Sequence, residues 1–219
     1  MTSKRNTVIF DLDGTLLNTL DDLADSVNHI MEAHGFPLHT TDRVRQMVGN
    51  GIYVLFEQAV PEGRQNPAYE ACVKDFQVYY AAHMRVKTGP FPGILELLAR
   101  LKEEGYHLAV VSNKFDAAVK ELCRDFFGDT IEVAIGESAT VARKPAPDTV
   151  FAAMEEFGVK PENCVYVGDS DVDIETAKNS GIPCLSVSWG FRDKAFLQAH
   201  SATFIAADTQ ELLRGIHSL

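Results

Sequence analysis

The residues of this chain best suited to chemistry are acids that follow strand-like runs. Asp11 and Asp13, separated by one leucine, end the apolar run at residues 6–11, and Asp169 and Asp173 follow a later run. Loading the end of a buried strand with acid costs stability, so the pattern indicates a function. Residues i and i+2 of an extended chain face the same side. Asp11 and Asp13 can therefore address one ligand, one as a nucleophile and the other as a general acid.

Further polar residues lie at the ends of other predicted strands. Ser112 and Asn113 end one run, and Lys144 precedes a proline in the segment after the next. A carboxylate nucleophile fits phosphoryl transfer through an aspartyl-phosphate, in which Ser112 donates a hydrogen bond to a phosphoryl oxygen and Lys144 neutralises charge. Gly14 permits close backbone approach. Asn113 either caps the following helix or contacts the substrate, and the sequence leaves both readings open.

The charge of these residues predicts a metal ion. Four aspartates and one lysine sum to −3, and such a cluster raises carboxyl pKa values unless a cation joins it. Oxygen ligands of high negative charge suit Mg²⁺, which keeps waters and bridges to phosphate. We expect Asp169 to complete the metal shell. Asp173 shares its face if a helix begins near residue 170, although contact of a helix-start residue with the helix dipole is a nearly equal alternative.

Six strand-like runs alternate with amphipathic segments and position these residues. Leu95, Leu98 and Leu101 show helical spacing in one such segment, and Gly105 supplies a stop. Near-continuous apolar runs between helices favour a doubly wound parallel sheet, an α/β fold. Ligands bind at the carboxyl ends of such strands, so the candidate residues should converge. The runs lie at residues 6–11, 107–113, 132–136, 164–169, 184–189 and 202–206.

One interval, residues 16–86, contains no good strand pattern and several helical ones. We therefore predict a catalytic core formed by residues 1–15 and 87–219, with an all-helical domain inserted at 16–86. The segments LLNTL and TGPFPG, which flank the insertion, are the expected hinges.

Four segments, "DLDGT", "VVSN", "RKPAPD" and "GDSDVD", occur in that order and resemble the motifs of the haloacid dehalogenase superfamily. The resemblance implies a Rossmann-like core with a mobile type-1 cap, Asp11 as nucleophile and Asp13 as acid/base. It implies a metal held by Asp11, the backbone carbonyl of Asp13 and Asp169, with Ser112 and Lys144 on the phosphoryl group. Thr15 is a further expected substrate contact, and Asp173 is expected to support the metal ligands.

The inserted segment resembles the cap of phosphoglycolate phosphatases, in which an Arg-x-x-Val-Gly-x-Gly stretch recurs. Gly49, Asn50 and Gly51 are then expected to bring backbone N–H groups to the substrate, or to form a plain turn between helices. Arg45 is either an exposed helix residue or a partner for a substrate carboxylate. The alternatives are a pyrophosphatase, a β-phosphoglucomutase, or a non-catalytic phosphate-binding protein. The intact pair of aspartates favours phosphate chemistry over dehalogenation.

The composition limits the kinds of partner that the protein is expected to bind. The formal charge is −11, so the chain lacks the positive field that binding to nucleic acids or anionic membranes requires, and neither is an expected partner. The expected partner is a small phosphorylated metabolite. The four cysteines form no CxxC pair, which favours free thiols in a reducing cytoplasm. The basic start MTSKRN is followed by too short an apolar run for a signal peptide. Both a monomer and a homodimer remain open.

Overall fold

The computed structural model of the protein describes residues 5–219. Residues 1–4, which begin the basic N-terminal segment and the predicted core range, lie outside the described residues. The chain divides into two compact units, one comprising the chain up to Leu17 with Pro90–Leu219 and the other comprising Asn18–Gly89. None of the helices between residues 5 and 219 combines the length and apolar character needed to cross a bilayer.

The strands and helices are as follows, within residues 5–219. The strands are β1 (Thr7–Phe10), β2 (Leu17–Asn18), β3 (Gly89–Pro90), β4 (His107–Phe115), β5 (Val133–Glu137), β6 (Cys164–Gly168), β7 (Cys184–Val187) and β8 (Ile205–Ala206). The helices are α1 (Leu20–Ala33), α2 (Thr41–Met47), α3 (Gly51–Ala59), α4 (Tyr69–His83), α5 (Ile94–Glu103), α6 (Asp116–Phe127), α7 (Asp148–Phe157), α8 (Asp171–Asn179), α9 (Lys194–Ala199) and α10 (Thr209–His217).

Six of the strands form one parallel sheet in the order β5-β4-β1-β6-β7-β8. The first strand of the chain is therefore central, with Thr7 paired to His107 on one side and to Cys164 on the other. This order brings the carboxyl ends of β1, β4 and β6 side by side. The parallel sheet predicted from the apolar runs is confirmed, as is the Rossmann-like core that the resemblance implies.

The sheet is buried because its strands are apolar on both faces. On one face Ile9, Val111 and Tyr166 pack with Val150 and Met154 of α7. The helix α5 buries a stripe formed by Ile94, Leu97, Leu98 and Leu101, whereas Leu95 is 50% exposed. The expectation that Leu95 belongs to the apolar face was wrong, because the residues at 94, 97, 98 and 101 follow the 3.6-residue period more closely.

The second unit contains the helices α1 to α4, with α1 packed on α2 and α4. Its apolar interior includes Val27 and Met31 of α1 with Phe56 and Phe76. Asp22, almost fully buried, accepts hydrogen bonds from the backbone N–H groups of Lys87 and Thr88 at 2.9–3.0 Å. These bonds tie the end of the helical segment to the start of α1.

The two-residue strands β2 and β3 pair with each other in a separate sheet. The interval after Leu16 was expected to contain no strand, and that expectation was wrong for Leu17 and Asn18. Two residues are too few to show an alternating pattern, and the pairing comes from two passages of the chain running side by side.

Candidate active site

The side chains that gather at the carboxyl ends of the central strands are held by a buried lysine. Lys144 lies in the loop before α7 and its side chain is 2% exposed. Its Nζ atom is 2.7 Å from Oδ1 of Asp11 and 2.8 Å from Oδ1 of Asp173. Asp11 follows β1 directly, so the lysine joins the end of the central strand to the first turn of α8.

Asp173 is fully occupied by donors from the protein. Its Oδ1 atom accepts from Lys144 and from the Tyr166 hydroxyl, at 2.8 and 3.0 Å. Its Oδ2 atom accepts from the N–H groups of Asp169 and Ser170 and from the Ser170 hydroxyl, at 3.2, 3.1 and 2.6 Å. Ser170 is the N-cap of α8 and Asp173 completes a capping box with it. Asp173 therefore lies in the first turn of α8, as a helix-start residue would, and also forms an ion pair with Lys144.

A group of carboxylates suitable for a metal ion lies at the same place. Oxygen atoms of Asp11, Asp169 and Asp173, all buried, lie within 4.8 Å of one another. Among the described residues the Asp11 carboxylate has one hydrogen-bond partner, Lys144, on Oδ1. Asp169 accepts from the Thr15 hydroxyl at 3.3 Å and from the Phe191 N–H at 2.6 Å, one donor on each oxygen. Asp11 and Asp169 thus keep lone pairs for a cation, and Asp173 does not.

The electrostatics of the cluster support a cation. Burial, followed by repulsion from Asp173, raises the pKa of Asp169 to about 7. Burial and the same neighbour raise the pKa of Asp11 well above its usual value, against the opposing effect of Lys144. Burial lowers the pKa of Lys144, but Asp11 and Asp173 outweigh this effect and raise it overall. The lysine therefore stays charged, and the carboxylates need further positive charge to ionise fully.

A second lysine, Lys114, accompanies Asp13. Its Nζ atom is 3.1 Å from Oδ1 of Asp13, and their side chains are 6% and 13% exposed. The Ser112 hydroxyl lies 3.5 Å from Oδ2 of the same carboxylate and accepts a hydrogen bond from the Lys114 N–H at 3.2 Å. The charge sum of −3 omitted this cation. With it the cluster carries −2, which one divalent ion balances.

Lys114 follows Ser112 and Asn113 at the end of the same run, and nothing in its local sequence indicates a role in the site. The strand β4 continues to Phe115 with an irregular register after Val111, and the side chains of Lys114 and Ser112 both reach Asp13. Tyr166 was missed too, although a tyrosine in the otherwise apolar run of β6 is a signal for a buried hydroxyl contact.

Close backbone contacts shape the site around Asp169. A Cβ atom on Gly14, whose φ is +87°, would lie 2.4 Å from Oδ2 of Asp169. A Cβ atom on Gly190 would lie 2.3 Å from the Gly14 carbonyl oxygen and 2.4 Å from Cβ of Asp169. Trp189 donates from Nε1 to the Thr15 carbonyl oxygen at 3.0 Å. The segment after β7 therefore forms one wall of the site.

Other predicted site residues have clear positions. Thr15 is fully buried beside Asp169, and Asn113 donates from Nδ2 to the Lys144 carbonyl oxygen at 3.0 Å. Gly49, Asn50 and Gly51 lie in the second unit, where α2 ends and α3 begins, and the two glycines have φ of +123° and +79°. Direct substrate contacts by Thr15, Asn113 and these three residues stay predictions.

Comparison with known proteins places this arrangement in a family. A family model described as haloacid dehalogenase-like hydrolase matches residues 8–187, which include Asp11, Ser112, Lys144, Asp169 and Asp173 and end at the last residue of β7. The chain belongs to the haloacid dehalogenase-like hydrolase family. Membership agrees with the resemblance of the four segments, and within the family the enzymatic reading is favoured over a non-catalytic one, because none of the acidic or basic positions is lost.

Three relatives of this hydrolase carry the name phosphoglycolate phosphatase. The phosphoglycolate phosphatase of Mesorhizobium japonicum is 33% identical over 195 residues, covering 87% of this chain and 86% of the relative. That of Agrobacterium fabrum is 35% identical over 193 residues, covering 84% and 81%. A crystal structure from Lactobacillus delbrueckii subsp. bulgaricus, of a protein provisionally named a phosphoglycolate phosphatase, is similar with a TM-score of 0.92. It shares 36% identity, covering 98% of this chain and 99% of the other.

Proposed function

We propose that this hydrolase is an Mg²⁺-dependent phosphatase of small phosphomonoesters, with 2-phosphoglycolate as its leading substrate. The observation that carries the proposal is the contact of Lys144 with Asp11 beside Asp169, which unites a nucleophile, a cation and a metal ligand in one buried cluster. The names of the relatives support the choice of substrate.

The first step uses the two aspartates that open the site. An oxygen of Asp11 attacks phosphorus, and the bond from phosphorus to the leaving oxygen breaks with its electron pair on that oxygen. Asp13 donates a proton to the leaving oxygen. In the second step Asp13 acts as a base and accepts a proton from water while the water attacks phosphorus. The bond between phosphorus and the Asp11 oxygen breaks, which regenerates the Asp11 carboxylate.

Lys144 and Ser112 serve the transferring phosphoryl group in this proposal. The ammonium of Lys144, held between Asp11 and Asp173, neutralises charge that collects on the equatorial oxygens. The Ser112 hydroxyl donates to one of them. Asp173 acts as a positioning residue, since it fixes Lys144 and the first turn of α8 while touching neither substrate nor metal.

The donor set fits a magnesium ion. Asp11 and Asp169, with the backbone carbonyl of Asp13, would hold it, and all three supply the oxygen ligands that Mg²⁺ prefers. When bound, the ion supplies Lewis-acid stabilisation of the phosphoryl oxygens and lets the carboxylates ionise together. Thr15 and the Phe191 N–H orient Asp169 toward it.

The helical unit is proposed to act as a cap whose Gly49, Asn50 and Gly51 contribute N–H groups to the substrate. The glycines at positive φ support this, because such positions allow a backbone to come close to a ligand without a Cβ in the way. A cytoplasmic protein, as a monomer or a homodimer, without nucleic acid or membrane partners, completes the proposal.

A phosphate-release panel tests the function. The full chain is assayed with 2-phosphoglycolate, pyrophosphate, glucose 1-phosphate and a nucleotide, each with Mg²⁺ and with EDTA. We expect the highest kcat/KM with 2-phosphoglycolate, and loss of activity in EDTA. The matched protein control is Asp171→Asn on the first turn of α8, which should retain activity because Asp171 is not one of the three clustered carboxylates.

Three outcomes would contradict the proposal in whole or in part. Isomerisation of glucose 1-phosphate without free phosphate would show a mutase, and preference for pyrophosphate would show a pyrophosphatase. Equal rates with Mg²⁺ and EDTA would contradict the metal assignment while leaving the nucleophile untouched.

A further inference from the structure

Lys114 is a buried cation that the reaction outlined above does not use. Its ammonium is 3.1 Å from Oδ1 of Asp13, and only 6% of its side chain is exposed. Its own N–H donates to Ser112, the residue proposed to contact the phosphoryl group. A second lysine is costly to bury, so its place beside the acid/base calls for an explanation.

The two lysines of the site have different partners. Lys144 lies between Asp11 and Asp173, at the nucleophile. Lys114 contacts Asp13, at the group that protonates the leaving oxygen. Lys144 is thus assigned to the transferring phosphoryl group, and Lys114 lies on the side of the leaving group.

The reach of Lys114 can be judged from the chemistry of Asp13. A general acid lies about 2.6–3.2 Å from the oxygen that it protonates. An ammonium 3.1 Å from that acid therefore lies beside the atoms attached to the leaving oxygen. In phosphoglycolate those atoms are one methylene and a carboxylate, and the carboxylate is an anion of the size and charge that pairs with an ammonium.

We propose that Lys114 binds the anionic group of the leaving alcohol and so selects phosphomonoesters with a carboxylate next to the ester carbon. Before substrate binds, the Asp13 carboxylate forms an ion pair with the Lys114 ammonium. When substrate binds, its carboxylate takes the place of Asp13, which leaves the Asp13 side chain able to turn toward the leaving oxygen. The inference rests on the proposed function and adds the residue that determines specificity.

Arg45 is the competing candidate for the substrate carboxylate. It forms an ion pair with Asp42 on its own helix α2, and 44% of its side chain is exposed. Exposed pairs of this kind stabilise little and exchange with water. The buried position of Lys114, in contact with the acid/base itself, favours Lys114.

The test compares two substrates that differ in one charge, 2-phosphoglycolate and 2-phosphoglycolamide. For wild type we expect a higher kcat/KM with phosphoglycolate. Lys114→Met should lower kcat/KM for phosphoglycolate by about 10- to 100-fold, the loss of one hydrogen bond to a charged group, mainly through KM. The same variant should lower the value for the amide by less than about 3-fold. Comparing the ratio of the two kcat/KM values between variant and wild type cancels the intrinsic difference in reactivity of the substrates.

Three further variants keep the test decisive. Lys114→Arg should retain most of the preference, and Lys114→Gln should lose it, so that a folding defect in one variant does not decide the outcome. Lys120→Met, which removes an exposed lysine paired with Asp116 on α6, is the matched control and should behave as wild type. Circular dichroism confirms that each variant is folded.

The outcomes separate the two proposals. Wild type that shows no preference for the carboxylate overturns phosphoglycolate as the substrate and the role of Lys114 with it. A wild-type preference that persists in Lys114→Met, equal losses on both substrates, or a preference abolished by Arg45→Met alone, overturns the role of Lys114 and leaves the proposed function standing.

Discussion

Replacing Asp173 by asparagine should destabilise the protein and slow catalysis without removing a metal ligand. The carboxylate accepts five hydrogen bonds, two on Oδ1 and three on Oδ2. An amide offers one acceptor atom, so its NH₂ group must face either the Lys144 ammonium or the two backbone N–H groups. In both orientations Lys144 keeps Asp11 as its only anionic partner among the described residues.

The magnitude follows from these contacts. Breaking a buried ion pair by removing one partner costs about 3–5 kcal/mol. Part of this is offset, because Asp173 also raises the pKa of Asp169 and Asp11 by repulsion, and the amide removes that repulsion. We expect a net loss of about 2–4 kcal/mol in the free energy of unfolding, and about 10²-fold in kcat because Lys144 is no longer held.

Urea denaturation and steady-state kinetics measure both effects, and Asp171→Asn is the matched control. Asp171 is on the same first turn of α8 but is not a partner of Lys144, so its replacement should cost only the helix-dipole contribution of about 0.3–1 kcal/mol. Isothermal titration should show that Asp173→Asn binds Mg²⁺ with an affinity within about 3-fold of wild type. The reason is that protein donors already occupy the oxygens of Asp173 in the wild-type protein. Equal stability of the two variants with unchanged kcat, or loss of Mg²⁺ binding in Asp173→Asn, would refute this reasoning.

Three other predictions concern the same cluster. Asp11→Asn should lower kcat by about 10³-fold or more while raising the metal-free free energy of unfolding, because burial and repulsion from Asp173 disfavour the charged Asp11 carboxylate more than Lys144 favours it; a less stable variant by urea denaturation would count against this. Gly190→Ala should lower the free energy of unfolding by about 1–3 kcal/mol, because the added Cβ would lie 2.3 Å from the Gly14 carbonyl oxygen. Gly89→Ala is the control and should not lower it, because Gly89 has open space around it. Matching urea midpoints for the two variants would disprove the packing argument. The pKa of Asp169 is about 7 in the folded state and about 3.9 in the unfolded state, so in EDTA folding takes up a proton between these pH values. The free energy of unfolding should therefore fall by about 2 kcal/mol from pH 5.5 to 8. Saturating Mg²⁺ should abolish that fall, and a metal-free protein that gains stability over this range would contradict the sign.

The sheet was predictable because its signal is continuous. Runs such as those of β1 and β6 are apolar at nearly every position, a pattern that buried parallel strands share and surface strands do not. Once the strands were placed, their carboxyl ends indicated which residues meet. The paired strands β2 and β3 gave no such signal, since two residues have no period.

The partners within the site were harder to predict, because they depend on which face of a strand a side chain occupies. The capping box of Ser170 and Asp173 explains why Asp173 cannot serve as a metal ligand, and only the three-dimensional arrangement shows that its oxygens are already occupied. Lys114 follows an irregularity in the register of β4 after Val111, so the alternation of the strand does not predict which side chain it contacts. The contact of Gly190 with Gly14 joins distant segments, and no local pattern announces it.

The central position of β1 also affects the order in which this protein can be completed during synthesis. Thr15 and Asp169, which contact each other in the finished site, are 154 positions apart. At about 5–20 residues per second, the ribosome needs roughly 8–30 s to add the second after the first. Throughout that interval the central strand of the sheet lacks one neighbour, and the backbone groups on that side of β1 have no partner strand until β6 emerges.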